Sequence, residues 1–294
     1  MTRYAPRIDL PAIRAIDTHV HVQFDSTGRR ALPDALLDAM DAYFGHGPQA
    51  LSVDELADYY REREMAAVVF TVDARTALGT PPNSSREIAD GAARHPDALI
   101  PFGSVDPRTG AEALSLARRL VEESGVRGFK FHPTVQGFDP SAEEFRPLWA
   151  EIERLGVPIV VHTGQTGVGA GLPGGYGLKL RYSDPMLLDD VAAEHPGLTV
   201  ILAHPSVPWQ DAALSMAAHK ANVYIDLSGW SPKYFSPALV RQARTILQDK
   251  MLFGSDYPAL TPDRWLRDFD ALGFPEPVRA KVLRDNAARV LGLA

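Results

Sequence analysis

Eight short, strongly apolar runs recur along the chain, and much of the intervening sequence has helical spacing. The runs cover 13–20, 66–72, 98–105, 126–132, 157–162, 198–204, 223–227 and 251–254. Ile159-Val160-Val161 and Val200-Ile201-Leu202 are continuous rather than alternating, the pattern of strands buried on both faces. Between the runs, 111–123 sets Ala113, Leu114, Ala117, Leu120 and Val121 along one side. Segment 143–155 does so with Phe145, Leu148, Trp149 and Ile152, and 185–195 with Leu187, Leu188 and Val191. Such stripes belong to helices packed on a sheet. Strand followed by helix, repeated, predicts right-handed parallel units. Eight units fill the chain, so the expected α/β fold is a single (β/α)8 TIM barrel over 1–294. An open doubly wound sheet is the alternative. No Gly-x-Gly-x-x-Gly follows the first run, which leaves a dinucleotide fold without support.

Two connections exceed the usual length. The first, 23–63, predicts a helix at Asp34–Phe44, followed by Gly45-His46-Gly47-Pro48. Ser52 with Glu55 then has the capping-box pattern of a second helix start. In a barrel this insertion leaves the C-terminal end of the first strand and is expected to cover the active site. The second connection, 163–184, holds seven glycines between Gly164 and Gly177. That density suits neither helix nor strand and reads as a lid loop after strand five.

Composition narrows the partners. Hydrophobic residues make up 45% of the 294 positions and charged residues 23%, enough for an ordinary core. The net charge of -7 argues against nucleic acid or an anionic membrane surface as partner. The absence of Cys removes disulfides, iron–sulfur clusters and cysteine nucleophiles. No signal-peptide core or 18-residue apolar run is seen, so a cytoplasmic location is expected.

Polar residues close the apolar runs. The first ends Asp17-Thr18-His19-Val20-His21, the fourth Lys130-Phe131-His132, the fifth at His162 and the sixth at His204. Asp256 follows the eighth. Strands alternate faces, so His19 and His21 share one side and can bind one metal. His162 can add a third nitrogen. Asp256 can add an oxygen from the strand that closes beside the first. A single strand-end His is usually a hydrogen-bonded structural residue. Several at matching ends of different strands point to a cation that offsets the cost of burying them.

The ordered motifs Asp17-Thr18-His19-Val20-His21, Val161-His162-Thr163-Gly164, Leu202-Ala203-His204-Pro205 and Phe253-Gly254-Ser255-Asp256-Tyr257-Pro258 resemble the metal-dependent amidohydrolase superfamily. The likeness is to its amidohydrolase-related branch, and Asn286-Ala287-Ala288-Arg289-Val290-Leu291 resembles that family's closing helix. The resemblance implies His19, His21, His162 and Asp256 as ligands of one divalent metal, zinc first and manganese as the alternative. It implies His204 and Asp256 as catalytic residues. In binuclear relatives a carboxylated lysine from strand four bridges two metals. Lys130 stands near that position, and contact with substrate is its other reading. His132 shares its face.

A narrower resemblance, carried by Tyr182-Ser183-Asp184-Pro185, Trp209-Gln210-Asp211 and Tyr224-Ile225-Asp226-Leu227-Ser228-Gly229-Trp230, is to the 4-hydroxyphenyl-β-ketoacyl-CoA hydrolase-like subgroup. It implies hydrolytic carbon–carbon cleavage of an aryl β-ketoacyl-CoA from hydroxycinnamate breakdown. Non-oxidative decarboxylation of an aromatic or semialdehyde acid is the alternative, with lactone hydrolysis as a further one. Several decarboxylase relatives carry Glu where this chain has His19, a departure that favours hydrolysis. The substrate is expected to be an aromatic carbonyl or carboxylate compound. Trp209 and Trp230 are candidate aromatic walls, and Arg181 and Lys179 candidate anion anchors. The resemblance also implies a homodimer.

Overall fold

The computed structural model of the chain describes residues 3–45 and 51–293. Eight parallel strands form among them: β1 (Ala15–His21), β2 (Met65–Phe70), β3 (Leu99–Pro101), β4 (Phe129–Phe131), β5 (Ile159–His162), β6 (Val200–Ala203), β7 (Val223–Asp226) and β8 (Met251–Leu252). They pair in sequence order as β1-β2-β3 and β4-β5-β6-β7-β8. Single parallel bridges, Gly103 to Phe129 and Val20 to Tyr257, join the two sheets at both edges and close the ring. This is the (β/α)8 barrel expected from the alternating pattern.

The strands are shorter than the apolar runs. β8 keeps two residues of 251–254 and β3 three of 98–105. The remaining apolar residues are buried at the strand ends, beyond the paired ladder. Alternation still sorts them. Ala66, Val68 and Phe70 face a cluster with Val160, Ile201 and Leu252. Ala67, Val69, Ile159, Val161 and Ile225 join the larger cluster with the helices. By the same parity Lys130, His132, His162 and Asp226 point with the first set.

At β1 the register with β2 shifts between Asp17 and Val20. Thr18 there turns to the other edge, its backbone N–H donating to the Phe253 carbonyl at 2.9 Å. Asp256 N–H donates to His19 O at 3.0 Å, and His21 N–H to Tyr257 O at 2.8 Å. The seam between first and last strands therefore carries both strand-one histidines and the terminal aspartate.

The helix Asp34–Phe44 forms as expected, as does Val53–Arg61 with its reciprocal Ser52–Glu55 capping box. His46, Gly47 and Pro48 lie outside the described residues. The Gly-rich stretch folds as short turns, with Gly174 and Gly175 at positive φ. The two long connections meet. Leu36 packs in a small apolar cluster with Val72, Val135 and Val168, flanked by Leu32, Met40, Leu172 and Leu178. Among the described residues no helix is long and apolar enough to cross a membrane.

Candidate metal centre and active site

His19, His21 and Asp256 come together where β1 meets the end of β8, each offering one ligand atom within 4.8 Å of the others. Nε2 of His19 and Nε2 of His21 lie 3.3 and 3.2 Å from Asp256 Oδ1. His19 is fully buried, and its Nδ1 lies 2.6 Å from Asp226 Oδ2 and 3.0 Å from Ser228 Oγ. A cation on Nε2 requires the ring proton on Nδ1, and Asp226 is placed to accept it. Two imidazoles and a carboxylate, with one imidazole oriented from behind, suit one divalent cation such as zinc or manganese. The cluster is a single divalent-metal site.

The fourth predicted ligand, His162, lies outside that cluster. Its Nδ1 is 3.0 Å from His204 Nε2, and its ring stacks on His132 with centroids 3.8 Å apart. Nε2 of His162 is buried and has no hydrogen-bond partner among the described residues. His204 has both ring nitrogens engaged, Nε2 by His162 and Nδ1 by Ser228 Oγ at 3.0 Å. Ser228 therefore links His19, His204 and Asp226. Asp226 at the end of β7 and Ser228 just after it were not singled out from sequence as site residues, although Trp230 beyond them was. The available signal was an acid at an inward-facing position of a buried strand.

His204 and Asp256 adopt φ of 76° and 70°, left-handed conformations that a side chain adopts at a cost of about 1–3 kcal/mol. Gly229 passes so close to both that a Cβ there would stand 2.5 Å from His204 Nδ1 and 3.2 Å from Asp256 Oδ2. Its own φ is +73°, so two independent reasons call for glycine.

Burial dominates the electrostatics. It holds His19, His132 and His162 well below the usual histidine value and takes His204 down to about 4. Neutral imidazoles with free lone pairs are what a metal requires. Burial pushes Asp256 up, but the His21 hydrogen bond and the charges of His204, His21 and Lys130 outweigh it and lower the carboxyl. Lys130 is wholly buried and is brought down to about 8 by burial, against the pull of Asp256 and Asp226. Its Nζ lies 2.9 Å from His19 Nε2. One lone pair cannot serve this amine and a cation together.

These groups open into a cavity of about 340 Å³. His21, Lys130, His132, His162, His204 and Asp256 line it, as do Val72, Leu37, Met40, Phe44 and Val168. Trp230 lines it too. Arg181 and Trp209 do not, and Lys179 is likewise absent from its walls. Arg181 instead reaches the Tyr182 ring, 5.1 Å from its centroid, and Trp209 precedes the helix Gln210–His219. Arg264 lines the cavity and was not anticipated from sequence.

Comparison with known proteins adds an independent view. The amidohydrolase family model matches residues 16–293. A γ-resorcylate decarboxylase of Rhodococcus jostii is 26% identical over 250 residues, covering 70% of this chain and 74% of that protein. The fold is similar to that of a TIM-barrel protein from Bordetella bronchiseptica, with TM-score 0.77, 22% identity and 95% and 99% of the two chains covered. It is also similar to that of 5-carboxyvanillate decarboxylase from Novosphingobium aromaticivorans, solved with manganese and 4-hydroxy-3-methoxy-5-nitrobenzoic acid. There the TM-score is 0.70 and the identity 16%, with 99% of each chain covered.

Proposed function

The chain belongs to the amidohydrolase family, and on that premise we propose that it is a metal-dependent decarboxylase of a hydroxylated aromatic carboxylic acid. The observation that carries the reading is the cavity: a floor of imidazoles, one carboxylate and one lysine beneath apolar walls. Such a slot takes a flat ring edge-first and presents the acid group to the floor. The γ-resorcylate decarboxylases of similar sequence support this chemistry over the hydrolytic one. The 23–63 connection, through Leu37, Met40 and Phe44, covers the ring and excludes water.

His19, His21 and Asp256 would hold the cation. His162, through its partnerless Nε2, is the proposed fourth donor. A cation held by these residues would supply positive charge that polarises the substrate's acid group. Asp256, kept ionised, takes the proton of a ring hydroxyl. The electron pair left on that oxygen raises electron density at the carboxylated ring carbon. Asp256 then gives the proton to that carbon, the bond to the carboxylate breaks, and CO2 leaves as the ring regains aromaticity. His204 is the relay group, holding a proton between its Nε2 and His162 Nδ1.

Hydrolysis of an aryl β-ketoacyl-CoA is the second reading, favoured by His19 standing where several decarboxylases carry Glu. The test is a product assay in D2O with hydroxybenzoates. Decarboxylation gives CO2 and one deuterium at the vacated ring carbon, lost on chelation and restored by added metal. An aromatic carboxylate labelled from ¹⁸O water, formed from the thioester with no CO2 from any hydroxybenzoate, would reverse the assignment.

A further inference from the structure

A second cavity, of about 380 Å³, shares no lining residue with the first. Its walls come from segments within 3–6, 121–127, 155–158 and 289–292. Arg127 stands two residues before β4 and Pro158 one before β5, at the entry ends of strands that lead to His132 and His162. The cavity therefore lies at the opposite end of the barrel from the metal cluster. Segment 3–6 is pinned there. Tyr4 N–H donates to Ser124 O at 3.0 Å. Gly125, at φ +80°, lets the segment lie close, since a Cβ would collide with Tyr4 O and stand 3.1 Å from Arg3 Cγ.

Arg3, Arg127 and Arg289 line this cavity, and among the described residues lining it there is no Asp or Glu. Among the described residues the three guanidiniums meet only neutral acceptors. Arg3 Nη2 donates to the Val121 carbonyl at 3.5 Å and Arg127 Nη2 to the Leu291 carbonyl at 2.9 Å. Arg289 donates to the Tyr224 hydroxyl at 3.1 Å, Asn286 Oδ1 at 3.2 Å and the Asp249 carbonyl at 2.7 Å. Acids on the neighbouring segments are taken by other cations: Asp249 by Lys281 at 2.8 Å, Glu122 by Arg154 at 3.5 Å and Asp97 by Arg61 at 2.7 Å. Lys250 adds to the positive field. It shares the face of the Tyr224 ring with Arg289, and burial followed by the charge of Arg289 lowers its ammonium. In a chain of net charge -7, the charge left over at this cavity is positive.

Tyr4 lines the same cavity, and its buried hydroxyl has no hydrogen-bond partner among the described residues. Burial raises the phenol while the charge of Arg127 works to lower it, so a neutral donor stands within reach of that guanidinium. Leaving such a donor unpaired costs about 1–3 kcal/mol.

We propose that this cavity binds a small organic phosphate, with the phosphate on Arg127, Arg289 and Arg3 and an apolar body against Val126, Leu155 and Val157. Guanidinium forks match phosphate oxygens in pairs. A phosphomonoester brings nearly two negative charges, which suits several cations better than one carboxylate does. The volume is that of a small-molecule site and exceeds what a bare phosphate fills. The site is independent of the metal-centred chemistry.

The test titrates metal-loaded enzyme with butyl phosphate, inorganic phosphate and butanol by calorimetry. Butyl phosphate should bind once per chain and more tightly than inorganic phosphate, with no binding of butanol. Arg127→Gln should weaken butyl phosphate about tenfold or more. Arg127→Lys should lose less, and Arg3→Gln and Arg289→Gln should each weaken binding. The last two alter exposed side chains and keep the measurement open if Arg127→Gln folds poorly. Binding should survive chelation of the metal, and crystals soaked in tungstate should show its anomalous peak beside Arg127. No binding of butyl phosphate at millimolar concentration, binding lost with the metal, or affinity unchanged in all the arginine variants overturns the proposal. Inorganic phosphate binding as tightly as butyl phosphate overturns the apolar body.

Discussion

Asp226 Oδ2 lies 2.6 Å from His19 Nδ1, with both side chains fully buried. The contact spans the barrel from the end of β7 to β1 and decides which nitrogen of His19 faces the metal cluster. Asp226 is itself supported by Ser228, whose Oγ donates to Oδ2 at 2.9 Å.

Removing that acceptor should weaken the metal without touching a ligand. Asp226→Ala is expected to lower affinity for zinc or manganese by about 10–100-fold. Competition with a calibrated chelator measures it. Asp226→Asn, which keeps a carbonyl acceptor, should lose less. Affinities equal to wild type in both would remove Asp226 from control of His19.

His204 separates relay from ligand. His204→Asn should keep one metal per chain while kcat falls about 100-fold or more. Metal analysis and steady-state kinetics on the same preparation check both. A metal-free variant that regains turnover on metal addition would make His204 a ligand.

Lys130 tests the metal count. Its Nζ, 2.9 Å from His19 Nε2, contends with the cation for one lone pair. The expected holoenzyme carries one divalent metal per chain and an unmodified Lys130, and Lys130→Met should bind metal at least as tightly as wild type. Intact mass and metal analysis decide this. Two metals per chain with the mass of CO2 added to Lys130 would establish the bridged alternative.

These residues differ in how well they could be read from the chain. Histidines at the ends of apolar runs stand out because a buried imidazole interrupts a stretch of Val, Ile and Leu. His19 and His21 then follow from alternation, and the helix Asp34–Phe44 from its spacing. Asp226 was harder. It lies within Tyr224-Ile225-Asp226-Leu227, and only the knowledge that Ile225 faces outward shows that Asp226 faces in. Arg264 left no local mark, since its meaning comes from a cavity assembled by residues far apart in sequence. Arg181 looked suitable because it follows a glycine-rich loop, but the path of that loop depends on packing against the helix Asp34–Phe44, through Val168 and Leu36.

Acid stability offers a test away from the site. Hydrogen bonds from Arg154 and Arg118 hold the Glu151 carboxyl down to about 2, from an ordinary value of 4.5. A carboxyl lowered by folding stabilises the native state above its unfolded value and loses that contribution as pH falls through the folded one. Glu151→Gln should therefore be less stable than wild type at pH 6, with the gap closing between pH 4.5 and about 2. Denaturant midpoints across that range measure it, and a constant gap would remove the ion pairs as the cause.

The barrel closes between β1 and β8 through a single bridge beside a strand of two paired residues, and the metal donors stand on both sides of that junction. A cation held there joins the opening strand of the chain to the segment after its last one. It acts as a rivet across that junction, so the ion that serves the chemistry also ties the two ends of the fold together. Losing it leaves that junction to its backbone hydrogen bonds, those of Thr18, His21 and Asp256, and to the side chains around them.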